Sequence, residues 1–104
     1  MARDRLREPE ARILALRIAA SRPNREATTS YIKDHIQDYI ELTAIDLKPS
    51  LTRHQEERWQ QIVGNVISHI NTTTSIFNRG FAERTDDGIG VTDLGMKYLA
   101  KLGY

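Results

Sequence analysis

Cysteine is missing from all 104 residues. Its absence removes disulfide frameworks, thiolate zinc sites and thiol nucleophiles together, and fits a reducing compartment. Long apolar runs are missing as well, so no stretch approaches the length of a membrane span. Met1 to Arg7 is charged, with no apolar segment behind it of the signal-peptide kind. A cytoplasmic protein without a membrane partner is expected. There is no Gly-x-Gly-x-x-Gly, no P-loop and no Gly-x-Ser-x-Gly. No His-x-x-x-His pair or carboxylate-rich cluster suggests a metal, and no cofactor is implied. His54 and His69 match no metal spacing. Ser68 and His69 are adjacent, and adjacent helical residues point about 100° apart, so they make no nucleophile–base pair. No set of acid, base and nucleophile can be assembled, and an enzyme is not expected.

Hydrophobic residues make up 39% of the chain, enough for a globular fold rather than a disordered one. The length suits one domain over 1–104, with about two-thirds of the unfolded surface buried. Net charge is +1, but it is unevenly spread. Residues 1–26 carry seven arginines against four acids, net +3, and residues 27–57 carry three bases against six acids, net −3. The remainder has five bases against four acids, net +1. A basic end beside an acidic middle suits a polarised binding surface, although solvated helix faces carry charge anyway.

Glu8-Pro9-Glu10 reads as a helix start, because proline fits the first turn and acids favour that end. Ile13, Leu14, Leu16 and Ile18 give this helix a broad apolar face, Arg17 and Arg22 stay outside, and Pro23-Asn24 ends it. Thr28, Thr29 or Ser30 caps a second helix from about Ser30 to Glu41, with Tyr31, Ile32, His35, Ile36, Tyr39 and Ile40 on one stripe. On that stripe His35 reads as a hydrogen-bonded core residue rather than a ligand. Thr43-Ala44-Ile45-Asp46 has capping-box spacing and suggests one helical turn. Trp59, Ile62, Val63, Val66, Ile67 and Ile70 recur at helical spacing, which predicts a core-facing third helix from about Arg53 to Ile70, capped by Thr52. A short turn containing Ile76 and Phe77 ends at Gly80. Phe81 to Thr85 and Ile89 to Val91 read as strands, and the Asp-Gly step between them as the source of the positive dihedrals of a tight hairpin. Thr92 caps a last helix that buries Leu94, Met96 or Tyr98, and Leu99.

The expected class is mainly α with a small β-hairpin. The order helix, helix, longer helix, hairpin, helix matches a winged helix-turn-helix: a three-helix core, a wing and a C-terminal helix. One short strand is missing from that plan, and residues 41–51 or 25–28 are the candidates. The segments Trp59-Gln-Gln-Ile-Val-Gly-Asn65-Val-Ile-Ser68-His69, Asn78-Arg-Gly80-Phe-Ala-Glu-Arg84 and Gly88-Ile-Gly-Val-Thr92-Asp-Leu-Gly95-Met-Lys-Tyr98-Leu99 carry a resemblance. They resemble the winged-helix domain at the N-terminus of Mrr-type restriction endonucleases. The likeness spans about residues 10–101 and is strongest over 52–99. It implies binding of double-stranded DNA. It does not bring the nuclease, whose catalytic domain would follow Tyr104.

A helix that reads DNA needs one face on the core and another able to bond base edges. Opposite the apolar stripe lie Glu57, Gln61, Gly64, Asn65, Ser68 and Thr72, which apart from Glu57 are uncharged. Surface helices more often collect lysine and glutamate there. Gln61, Asn65 and Ser68 are the candidate base contacts; as a structural alternative, Asn65 and Ser68 bond backbone near the hairpin. Arg53, Arg58 and His69 flank the face and are candidate phosphate contacts. In the wing, Arg79 and Arg84 are the candidates, while Asp86 and Asp87 would repel phosphate and are better read as turn residues. Arg3, Arg5 and Arg7, within an arm over 1–8, either follow the DNA or form a loose tail.

The protein is therefore expected to be a regulator or the targeting module of a larger restriction or regulatory complex, alone or as a homodimer. The rival is a protein-interaction or dimerisation module, favoured by the acidic hairpin tip and the near-neutral charge, with Tyr31, Tyr39 and Tyr104 as anchors.

Overall fold

Arg7 precedes helix α1, Glu8–Ala20, with Pro9 in its first turn. In the computed structural model, which describes residues 4–51 and 55–104, this helix ends sooner than Pro23-Asn24 implies. Ser21 caps it, and its hydroxyl donates to the Ile18 carbonyl at 2.6 Å. Alanines at 11, 15 and 19 with Leu14, Leu16 and Ile18 bury α1 on several sides. A helix apolar nearly all round belongs inside, and α1 packs on every other helix and on the sheet.

A turn over 21–25, in which Arg25 takes φ of 60°, leads into strand β1, Glu26–Thr28. The short strand thus falls at the earlier of the two candidate positions. Helix α2, Thr29–His35, is capped by Thr28, whose hydroxyl accepts the Tyr31 N–H at 3.0 Å. It is shorter than its stripe predicts, because the chain tightens into a 3-10 turn at Ile36–Asp38. His35 consequently leaves the core: its side chain is 41% exposed, stacked on Tyr31 and bonded to Asp38.

Helix α3, Arg58–Ser68, is followed by strand β2, Ala82–Arg84, strand β3, Gly88–Val91, and helix α4, Asp93–Lys101. The described α3 starts five residues later than expected; Glu57 is its cap, and Thr52 and Arg53 lie outside the described residues. Trp59, Val63, Val66 and Ile67 are buried as the periodicity requires. Ile70 is not: it follows the end of the helix and is 39% exposed. The Ile76–Phe77 turn ends at Gly80, which takes φ of 78°.

The sheet has three antiparallel strands in the order β1-β3-β2, with Glu26 opposite Gly90 and Glu83 opposite Gly90 on the other side. Gly88 does not supply a positive dihedral, nor do Asp86 and Asp87. Its need is steric, since a Cβ there would lie 2.0 Å from the Ala27 carbonyl oxygen. Gly95 does the same for α4, where a Cβ would meet the Phe81 oxygen at 2.1 Å. Thr92 caps α4 and also donates to Gly80 O at 2.6 Å. Leu94 is 52% exposed against the expectation, while Leu99 is buried and Met96 and Tyr98 are half-buried. The buried apolar residues form one cluster, and no helix among the described residues is long and apolar enough to cross a membrane.

Candidate nucleic-acid interface

The first four N–H groups of a helix have no partner within it, and α3 satisfies them from its own chain. Arg58 N–H donates to Lys48 O at 2.9 Å and Trp59 N–H to Asp46 O at 3.2 Å. Gln60 and Gln61 N–H both donate to Glu57 O, and Gln60 Oε1 accepts the Glu57 N–H at 2.8 Å. Glu57 is thereby accounted for: its carboxylate also accepts the Trp59 indole N–H at 3.0 Å.

The 43–50 segment that supplies those carbonyls is itself anchored by Asp46, which is only 2% exposed. Asp46 Oδ1 accepts the Leu6 N–H at 2.6 Å, and Oδ2 accepts the Thr43 N–H at 3.0 Å. The Thr43–Asp46 box of the sequence is real, but its main work is tertiary. Leu6 is buried beside it, so residues 6–8 are part of the fold rather than of a free arm. Arg5 and Arg7 stay exposed, Arg7 beside Asp4 at 3.1 Å. Desolvation works against charging Asp4, yet the Arg7 guanidinium and the N–H groups of Arg5 and Asp4 outweigh it and hold that carboxyl below its usual value.

This closure divides the expected contact residues. Arg53 lies outside the described residues. Gln61 is engaged by the chain, its Oε1 accepting the Ser50 hydroxyl. Arg58 is half-buried in a cleft bordered by Arg5, Leu6, Leu51 and Ile62. At the other end Ser68 is exposed, and its hydroxyl reaches only the Asn65 carbonyl at 3.5 Å. Asn65 is half-buried, and its side-chain amide has no hydrogen-bond partner among the described residues. Neither residue bonds backbone near the hairpin. From Ser68 to Thr74 every residue is exposed, and only His69 is titratable.

The flanking cations are partly committed. Arg84 donates from Nη1 to the Ile67 carbonyl at 3.0 Å, finishing the C-terminal end of α3 and tying β2 to it. A cation is favoured there by the helix dipole. His69 Nδ1 stands 3.5 Å from Glu8 Oε1. Arg79 is apart from this group, stacked over Phe81 and Tyr98 with its guanidinium 4.8 and 5.4 Å from the ring centroids. The hairpin tip does not project freely, because Asp87 O accepts both the N–H and the hydroxyl of Thr29. Asp86 and Asp87 therefore sit near the N-terminus of α2, an end that favours acids.

Most arginines of the basic first quarter are engaged within the chain. Arg12 pairs with Glu8, Arg25 with Asp93 at 2.7 Å, and Arg22 lies over Tyr31. Arg17 is held between Tyr39 and Tyr104. Sequence reasoning missed the closing role of Asp46 and the capping role of Arg84, because both partners are distant in the chain. The chain matches no protein-family model, no curated protein and no solved structure.

Proposed function

We propose that this chain is a winged-helix module that binds double-stranded DNA and does no chemistry on it. The order of elements, with a short first strand completing a three-stranded sheet beside three helices, supports a winged-helix reading. The observation that carries the reading is the state of Asn65. It is an amide on the outer side of α3, free of intrachain bonds among the described residues and followed by an exposed, almost uncharged run through Thr74. An asparagine amide can donate to N7 and accept from N6 of adenine at once, a pairing worth about 1–3 kcal/mol of discrimination. The closed N-terminal end of α3 shifts the contact surface to the C-terminal half of the helix and the loop after it.

Ser68 and His69 complete the surface, and Arg84 positions the hairpin beside it. Gln61 and Arg79 are secondary, since their side chains already have partners. The resemblance to the N-terminal domain of Mrr-type restriction enzymes fits a targeting or regulatory role within a larger restriction or regulatory system. An NMR titration of the full chain with duplex DNA at low salt tests the reading. Shifts of Asn65, Ser68 and the 69–74 amides support it; a spectrum unchanged at millimolar duplex overturns it.

A second reading, a protein-docking module, is favoured by the pairing of most of the N-terminal arginines and by Leu94 and Tyr104, which are 52% and 61% exposed. Concentration-dependent sedimentation accompanied by loss of the Leu94 methyl signal would favour it.

A further inference from the structure

Arg58 poses a separate problem. Its Nε is buried and has no hydrogen-bond partner among the described residues, and a buried donor left unbonded is unfavourable. Arg58 lines the cleft between residues 5–6, the 45–51 loop and α3. Arg5 is on the same cleft, and neither arginine has an acidic partner within salt-bridge distance among the described residues. Two arginines around one opening, neither with an acidic partner among the described residues, suit an anion with several acceptor oxygens. The N-terminus of α3 is not itself the receptor, since its first four N–H groups already donate to Lys48, Asp46 and Glu57.

We propose that this cleft is a phosphate-binding site, with Arg58 as its fork and Arg5 as a second cation. A guanidinium binds phosphate through parallel N–H bonds, which a single N–H or an ammonium cannot reproduce. Asp46 at the floor would repel an anion, but both its oxygens already accept backbone N–H bonds, from Leu6 and Thr43. The remaining lining residues are Gln61 and the apolar Leu6, Ile45, Leu51 and Ile62. Apolar walls favour a singly charged phosphodiester over a strongly hydrated phosphate dianion. Arg58 lies seven residues before Asn65, about two helical turns or 10 Å along α3, on the same side. The inference deepens the DNA-binding reading, in which the ligand is a backbone phosphate flanking the bases that Asn65 meets.

The test follows the arginine Nε–Hε signals of the full labelled chain during two titrations, one with inorganic phosphate and one with a short duplex. Binding constants of the duplex are then measured against salt for Arg58→Lys, Arg58→Gln and Arg5→Gln. The expected result is movement of the Arg58 signal in both titrations. The Arg58→Gln and Arg5→Gln variants each lose several-fold in affinity, and the slope of log K against log salt falls by about 1 in each. Arg58→Lys keeps the charge and recovers only part of the affinity. Arg5 is exposed, so its variant reports even if Arg58→Gln unfolds. Should the duplex shift Asn65 while leaving Arg58 and the Arg5→Gln salt slope unmoved, the cleft proposal fails and DNA binding stands. Should phosphate move Arg58 while the duplex moves nothing, the site stands and the DNA reading fails.

Discussion

The two ends of α3 are finished in opposite ways. At the start, backbone carbonyls of a loop held down by a buried aspartate close over the helix, and Gln61 is drawn into that closure. At the finish a single arginine from the hairpin satisfies one carbonyl, and the neighbouring side chains of Asn65 and Ser68 remain open. One end is structure; the other has surface to spare. An uncharged amide stands toward each end, Gln61 and Asn65, so residue type alone does not distinguish a helix face that serves folding from one left for a partner.

Five substitutions break or sharpen that contrast. Gly95→Val or Gly88→Val should have the largest effect. Each forces a side chain into a carbonyl about 2 Å away and should cost about 3 kcal/mol or more in urea unfolding, removing the hairpin seat on which the open end depends. Asp46→Ala comes next. It strands the buried Leu6 N–H and frees the 43–50 loop, for about 2–3 kcal/mol, and hydrogen exchange should quicken at Arg58 and Trp59 before it does at Ser68. Arg84→Ala removes one part-buried charged bond to Ile67 and should cost about 0.5–1 kcal/mol, with chemical-shift changes confined to 66–70 and the hairpin. Asn65→Ala should be the mildest for folding, within about 0.5 kcal/mol. If Asn65 reads a base, the same variant weakens duplex binding about tenfold or more. A large loss of stability for Asn65→Ala would mean that this end is structural too.

The helices were legible because each buries a stripe whose period the sequence carries, most clearly from Trp59 to Ile67. The cap Thr92, and the group Thr28 to Ser30 that holds the α2 cap, were legible for the same local reason, since a hydroxyl that accepts an N–H two or three residues on needs no tertiary knowledge. β1 was harder. Three residues with a single buried alanine give no alternation to read, and the strand exists because β3 offers it an edge. Ile70 and Leu94 fit a periodic pattern yet face solvent, since the pattern says nothing of where a helix stops or what lies opposite it. The turn was correctly placed at Asp86-Asp87, but Gly88 was assigned to it for a reason of backbone torsion; the glycine opens β3 instead and answers to a carbonyl 61 residues away in sequence. In the candidate interface, the uncharged face could be seen in advance. Which of its amides the chain would use for itself could not.

The pairing of Glu26 with Gly90 joins positions 64 residues apart, and this bears on how the molecule assembles. Helices can form as soon as their own residues are present, whereas β1 gains its only ladder partner after nearly the whole chain has been searched. Loop-closure entropy makes such a contact slow. The sheet should therefore be the last part to lock during refolding, with helical signal appearing before the slow-exchanging amides of β3. Until it locks, the β1-facing edge of β3 stays unpaired, and that interval is when the chain is most open to aggregation.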